Sequence, residues 1–185
     1  MGVPKVDLND SPGSPLTAVL LHPHPDMGGN RFNHVIDALY QSLPEGGFSA
    51  ARFDFTSSDV GLAAHEAAAV VEQCSGAGAV ALVGYSFGAG VALHVTGPAV
   101  VGWVLAAPYL GGALGEASTD ERPKLVLVAE LDQWSPPSRV RPIAATWPNT
   151  TVTTIAGADH FLAGRTAPVV GAALEWLGTL SGRAT

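Results

Sequence analysis

A chain of 185 residues, 47% hydrophobic and only 14% charged, is long enough for one domain with a real core and too apolar to be disordered. Nine basic against sixteen acidic residues leave a net charge of -7 with no Lys/Arg cluster, which speaks against nucleic acid or an anionic membrane surface as a partner. No apolar run approaches the length of a membrane span.

Residues 1–15, rich in Pro, Gly, Ser and Asp, read as a loose arm, with a single domain expected over 16–185. The arm lacks a basic start followed by an apolar stretch, so no secretory signal is expected. Val6 stands where N-myristoylation needs Ser or Thr. The single cysteine, Cys74, excludes an intrachain disulfide, and the expected compartment is the cytoplasm.

From there short apolar runs alternate with helical patterns. Run 17–22 leads into HPHP and a helix over 33–43. Run 50–53 precedes a helix over 62–74, whose polar residues His65, Glu66, Glu72 and Gln73 predict one narrow wet face. Run 79–83 opens directly into a helix over 87–95. Run 100–105, with Trp103 expected in the core, is followed by an 18-residue link with no clear helix. Run 124–129 precedes a weaker helix over 138–146, and run 151–155 precedes the last helix, 167–180. Continuous apolar runs of this length suit strands buried on both faces. The alternation predicts a three-layer α/β fold on a minimal, mostly parallel sheet of about six strands, with no cap domain.

Gly84–Gly88 reads GYSFG. In a chain with 22 glycines a G-x-S-x-G motif arises by chance, but this one follows a predicted strand and opens a predicted helix. A sharp turn there strains the backbone of Ser86 and needs small neighbours, which Gly84 and Gly88 supply; Gly90 would let the helix pack closely on the sheet. A serine hydroxyl is a poor nucleophile until a base takes its proton, and that base needs an orienting carboxylate. Asp132 and His160 arrive in that order, each just past a predicted strand, where open α/β sheets place their sites. Glu130 competes with Asp132 but falls at the strand end. Asp159 reads as a loop-stabilising residue, His65 and His94 fall inside helices, and His34 opens one.

The segment His22-Pro23-His24-Pro25-Asp26 has three readings. It can supply an oxyanion-hole N–H beside that of Phe87: the prolines lack one, which leaves His24, with Met27 in reserve. It can hold a metal through His22, His24 and Asp26, although the prolines restrict convergence of the rings. Or the two histidines are hydrogen-bonded beneath the loops.

Together HPHPDMGGNRFNHV, ARFDF, LVGYSFGAGVAL, VLVAELDQWSPP and GADHFLAGR resemble a group of small α/β-hydrolases akin to dienelactone hydrolase, from about Leu16 to Leu180. The resemblance implies an α/β-hydrolase core, no cofactor, and a triad of Ser86, Asp132 and His160. Where the group usually has R-G-x-G-x-S after ARFDF, this chain has TSSDVG. Dienelactone hydrolase itself uses Cys as nucleophile, so lactone specificity does not transfer. The expectation is a carboxylesterase-like serine hydrolase acting on a small-molecule ester through an acyl-enzyme, without metal. Met27, Tyr109, Leu110, Trp134, Phe161 and Leu162 are candidates to line its pocket, and a short acyl chain or compact ester suits a site without a cap. A metal-dependent hydrolase and a non-catalytic binding protein on the same fold are the alternatives.

Overall fold

A computed structural model describes residues 4–76 and 78–181. Seven strands form one sheet: β1 (Asp7–Asn9), β2 (Leu16–Leu21), β3 (Ser49–Arg52), β4 (Ala79–Tyr85), β5 (Val100–Ala106), β6 (Lys124–Ala129) and β7 (Thr150–Ile155). Their order across the sheet is β1-β3-β2-β4-β5-β6-β7, parallel throughout except for the antiparallel β1–β3 pair. Among the described residues four helices connect strands, α1 (His34–Ser42), α2 (Val60–Ser75), α3 (Phe87–Ala92) and α4 (Pro137–Ala144), and α5 (Thr166–Ser181) follows β7.

Side chains that alternate along a strand serve opposite faces. On β4, Val80 and Leu82 join one core with Ala63, Ala67 and Val70 of α2 and Val140 of α4. Ala81 and Val83 join the other, with Ile36 and Leu39 of α1 and Ala173 and Leu177 of α5. The two helix pairings thus sandwich the sheet as three layers.

The sheet has seven strands rather than about six because the expected loose arm is partly ordered. Asp7 pairs with Arg52 across β1–β3, and its carboxylate meets the guanidiniums of Arg31 at 3.1 Å and Arg52 at 3.7 Å. Three residues are too few to show a periodicity, and their partners are remote in sequence. Helix α3 ends at Ala92, where i→i−3 bonds tighten the chain, so His94 lies just beyond it. Glu66 is buried rather than on the wet face of α2; it accepts from the Thr56 N–H at 3.1 Å and from the Thr56 hydroxyl.

The chain runs from β2 to β3 on one side of the sheet and then to β4 on the other. The order reverses between β2 and β4, where Leu21 stands beside Gly84. Open α/β sheets bind ligands in the crevice beyond the carboxyl ends at such a reversal. Here that crevice lies between the HPHP segment and the GYSFG turn.

Candidate active site

Ser86 is the single residue between β4 and α3, held at φ 54° and ψ -111°. A Cβ on Gly84 would lie 2.4 Å from the Gly88 carbonyl oxygen, and one on Gly88 would lie 2.1 Å from that of Leu21. The two glycines are therefore the condition for α3 to start so close to β4 and β2. A Cβ on Gly90 would meet the Tyr109 carbonyl oxygen at 3.0 Å, so its close packing is with the loop after β5, not with the sheet. The turn is fixed from both sides: Ser86 N–H donates to Ala106 at 2.9 Å, and the Ser86 carbonyl accepts from Tyr109 N–H at 3.2 Å. Ala107, next on that loop, also has positive φ, 41°. Gly88→Ala should cost on the order of 3 kcal/mol in urea unfolding, because the atom that must give way is backbone.

Ser86, His160 and Asp132 form one hydrogen-bonded chain, each under 9% exposed. The Ser86 hydroxyl donates to His160 Nε2 at 2.8 Å, and His160 Nδ1–H donates to Asp132 Oδ2 at 2.8 Å. Oδ1 of Asp132 accepts from the N–H groups of Trp134 at 2.9 Å and Ser135 at 2.8 Å. Burial works against this carboxylate, but the His160 bond and the two N–H groups outweigh it and hold its pKa below the usual range. An imidazole whose Nδ1 proton is fixed by a carboxylate presents Nε2 as the acceptor for a hydroxyl proton. The Tyr85 hydroxyl donates to the His160 carbonyl at 2.9 Å, and the Trp134 ring packs 4.6 Å from the imidazole. Glu130 instead accepts from Gly157 N–H at 2.7 Å, and Asp159 caps its own loop through Phe161 N–H at 3.0 Å. His65 is exposed on α2, and His94 donates to the Ala113 carbonyl at 3.2 Å.

In the HPHP segment His22 is buried and its ring is fully engaged. Nδ1–H donates to the Pro23 carbonyl at 2.6 Å, and Nε2 accepts from Phe55 N–H at 2.9 Å. Neither nitrogen has a lone pair left for a metal. Among the described residues no group of three or more His, Cys, Asp or Glu side chains is placed to hold one. The metal reading of His22, His24 and Asp26 thus lacks the convergence it needs. The His24 carbonyl accepts from Met27 at 3.1 Å and Gly29 at 3.0 Å, closing a tight turn. That consumes the Met27 N–H, which cannot serve as the reserve donor. The His24 ring meets Phe87 edge-on at 4.9 Å, and Phe87 N–H, at the start of α3, has no carbonyl one turn back to accept it.

Burial lowers the pKa of His22 from 6.5, more than the Pro23 carbonyl and nearby Asp54 and Glu66 raise it. Below pH 6.5 the unfolded chain takes a proton that the native ring refuses, so stability falls as the pH drops. The loss from this group reaches at most about 1.4 kcal/mol per pH unit. Urea unfolding at a series of pH values should therefore show a shallower decline between pH 6.5 and about 5 for His22→Asn than for wild type.

No protein-family model and no curated protein matches the sequence. Solved structures do match. An α/β serine hydrolase homologue from Coxiella burnetii is 23% identical, with TM-score 0.81, over 93% of this chain and 90% of its own. A lidless α/β serine hydrolase from Xanthomonas campestris is 26% identical, with TM-score 0.74, over 90% and 84%. Dienelactone hydrolase from Anabaena variabilis is 16% identical, with TM-score 0.80, over 95% and 91%. The chain has the α/β-hydrolase fold.

In this α/β-hydrolase fold the link from β5 to β6 carries only a short 3-10 turn, Glu116–Thr119, and no cap. No helix among the described residues is long and apolar enough to cross a membrane. Two cavities meet at Ser86. One, of about 130 Å³, is bordered by Ser86, His160, Trp134, Phe161, His34 and Met27 among others. The other, of about 350 Å³, lies among His24, Met27, Ser86, Phe87, Tyr109 and Trp134. A third, of about 410 Å³, shares His24, Phe87 and Tyr109 with it and is walled by Leu110. Five of the six expected pocket residues border these spaces. Leu162 does not: it is buried in the core beside α5, in a left-handed turn at φ 54°. Missed by the sequence reading were Asn33 of the α1 cap and the Val60–Gly61 start of α2, which also form walls. His34, the first residue of α1, borders the small cavity, and its Nε2–H donates to the Phe161 carbonyl at 2.9 Å.

Proposed function

We propose that the chain is a serine hydrolase that cleaves a small-molecule ester by acyl transfer to water. The observation that carries this reading is the buried hydrogen-bonded chain from Ser86 through His160 to Asp132. Its likeness in fold to serine hydrolases supports it.

In the first half-reaction His160 Nε2 takes the proton of Ser86 as Oγ attacks the acyl carbon. The carbonyl oxygen becomes an oxyanion, and the N–H groups of Phe87 and His24 hold it; each such donor is worth about 2.7–4 kcal/mol. Asp132 keeps the imidazole oriented and stabilises its cationic form. When the ester C–O bond breaks, His160 gives the proton to the departing alcohol, leaving Ser86 acylated. Water then gives a proton to His160 and attacks the acyl carbon; the second collapse returns the proton to Ser86 and releases the acid. His22 acts behind this machinery as a positioning residue, since its two hydrogen bonds fix the backbone that leads into His24.

A fluorophosphonate reacts with an activated serine and mimics the tetrahedral adduct. Intact-mass and peptide-mass mapping should place one adduct on Ser86. An unlabelled protein, or a label elsewhere, would overturn the reading, as would activity abolished by a chelator.

A further inference from the structure

The cavities that meet at Ser86 differ in size and in the half of the substrate they can receive. His160 must protonate the departing alcohol oxygen, so the alcohol has to lie on the imidazole's side of Ser86. His160 borders the cavity of about 130 Å³ and neither of the larger two. With the oxygen held by Phe87 and His24 and the alcohol beside His160, the remaining substituent of the acyl carbon is left the spaces that His160 does not border, of about 350 and 410 Å³.

Resting on the serine-hydrolase reading above, we infer that the small cavity is the leaving-alcohol subsite and the two larger cavities form the acyl subsite. The substrate class is then an ester of a small alcohol with an apolar acyl chain of medium length.

The sizes set the limits. The small cavity has about a third of the volume of either larger one, so it suits the smaller half of the ester. The larger two each fall in the roughly 300–1,000 Å³ range of small-molecule sites. The small cavity is also braced. Trp134 packs 4.6 Å from His160 and 5.2 Å from Phe161, and the bond from His34 pins the Phe161 backbone. The outer acyl space is walled by Val60, Leu93, Leu110 and Leu114 and can solvate an alkyl chain. On this assignment the size limit falls on the alcohol, where the absence of a cap by itself suggests a short acyl chain or a compact ester.

Two ester series test this in the full chain, read as kcat/KM: ethyl esters from acetate to octanoate, and hexanoates from methyl to hexyl. Ethyl hexanoate should exceed ethyl acetate by about tenfold or more, and hexyl hexanoate should fall below ethyl hexanoate by a similar factor. Phe161→Ala should recover the hexyl ester relative to the ethyl ester. Val60→Trp, a change at a partly exposed helix start, should lower hexanoate relative to acetate, and it decides the matter should the Phe161 variant not fold. The opposite preference, or equal rates along both series, overturns the assignment. If fluorophosphonate labels Ser86 but neither series is cleaved, the subsite assignment fails and the nucleophile stands. If Ser86 is unlabelled as well, both fail.

Discussion

Ser86→Ala should lower kcat for p-nitrophenyl acetate by about 10⁴-fold or more while leaving the thermal unfolding midpoint close to wild type. The members of a Ser-His-Asp unit act together, so losing the nucleophile alone removes nearly everything the unit supplies. What remains is the background from bound substrate and the oxyanion donors, on the order of 10³–10⁴ over water. The fold should hold because only Oγ is removed. Ala keeps the Cβ at φ 54°, the Ser86 backbone bonds to Ala106 and Tyr109 are untouched, and His160 keeps Asp132 and Tyr85. Steady-state kinetics beside a melting curve separates the two effects. A variant that keeps kcat within about tenfold has a nucleophile other than Ser86.

Asp132→Asn should cost kcat on the order of 10⁴ with the backbone intact. Its amide oxygen can still accept from Trp134 and Ser135 N–H, so the loop keeps its shape. Its NH₂ then faces His160 Nδ1, which must give up its proton to accept. The imidazole carries that proton on Nε2 instead and can no longer receive one from Ser86. Glu130→Gln is the control: that carboxylate serves Gly157 N–H in the native structure, and its loss should leave kcat near wild type. Equal losses in both variants would reassign the acid.

Strands β2 to β6 were legible to within a residue or two at most ends because burial on both faces leaves continuous apolar runs, whereas β7 stands at the sheet edge and is only partly buried. The GYSFG turn was legible because its glycines answer to backbone atoms, Gly88 to Leu21 above all, and no other residue fits. The sequence reading missed what depends on remote partners. Asp7 orders β1 through two arginines far along the chain. Glu66 turns inward because Thr56 offers it two donors. Leu162 follows a pocket-facing Phe161, yet a left-handed turn sends it into the core. The Met27 N–H was an open candidate until the tight turn onto His24 closed it.

Four non-glycine residues among those described have positive φ: Ser86, Ala107, Leu162 and Asn149. The first three stand at the carboxyl edge of the sheet, around the hydrogen-bonded chain, and Asn149 precedes β7 at the opposite edge. Backbones in such regions cost about 1–3 kcal/mol each, against a net folding stability of about 5–15 kcal/mol for a whole domain. A sizeable share of what keeps this chain folded is therefore committed to the shape of one edge. Selection for heat resistance would find gains by relaxing those positions, and at Ser86 it would find them at the expense of turnover.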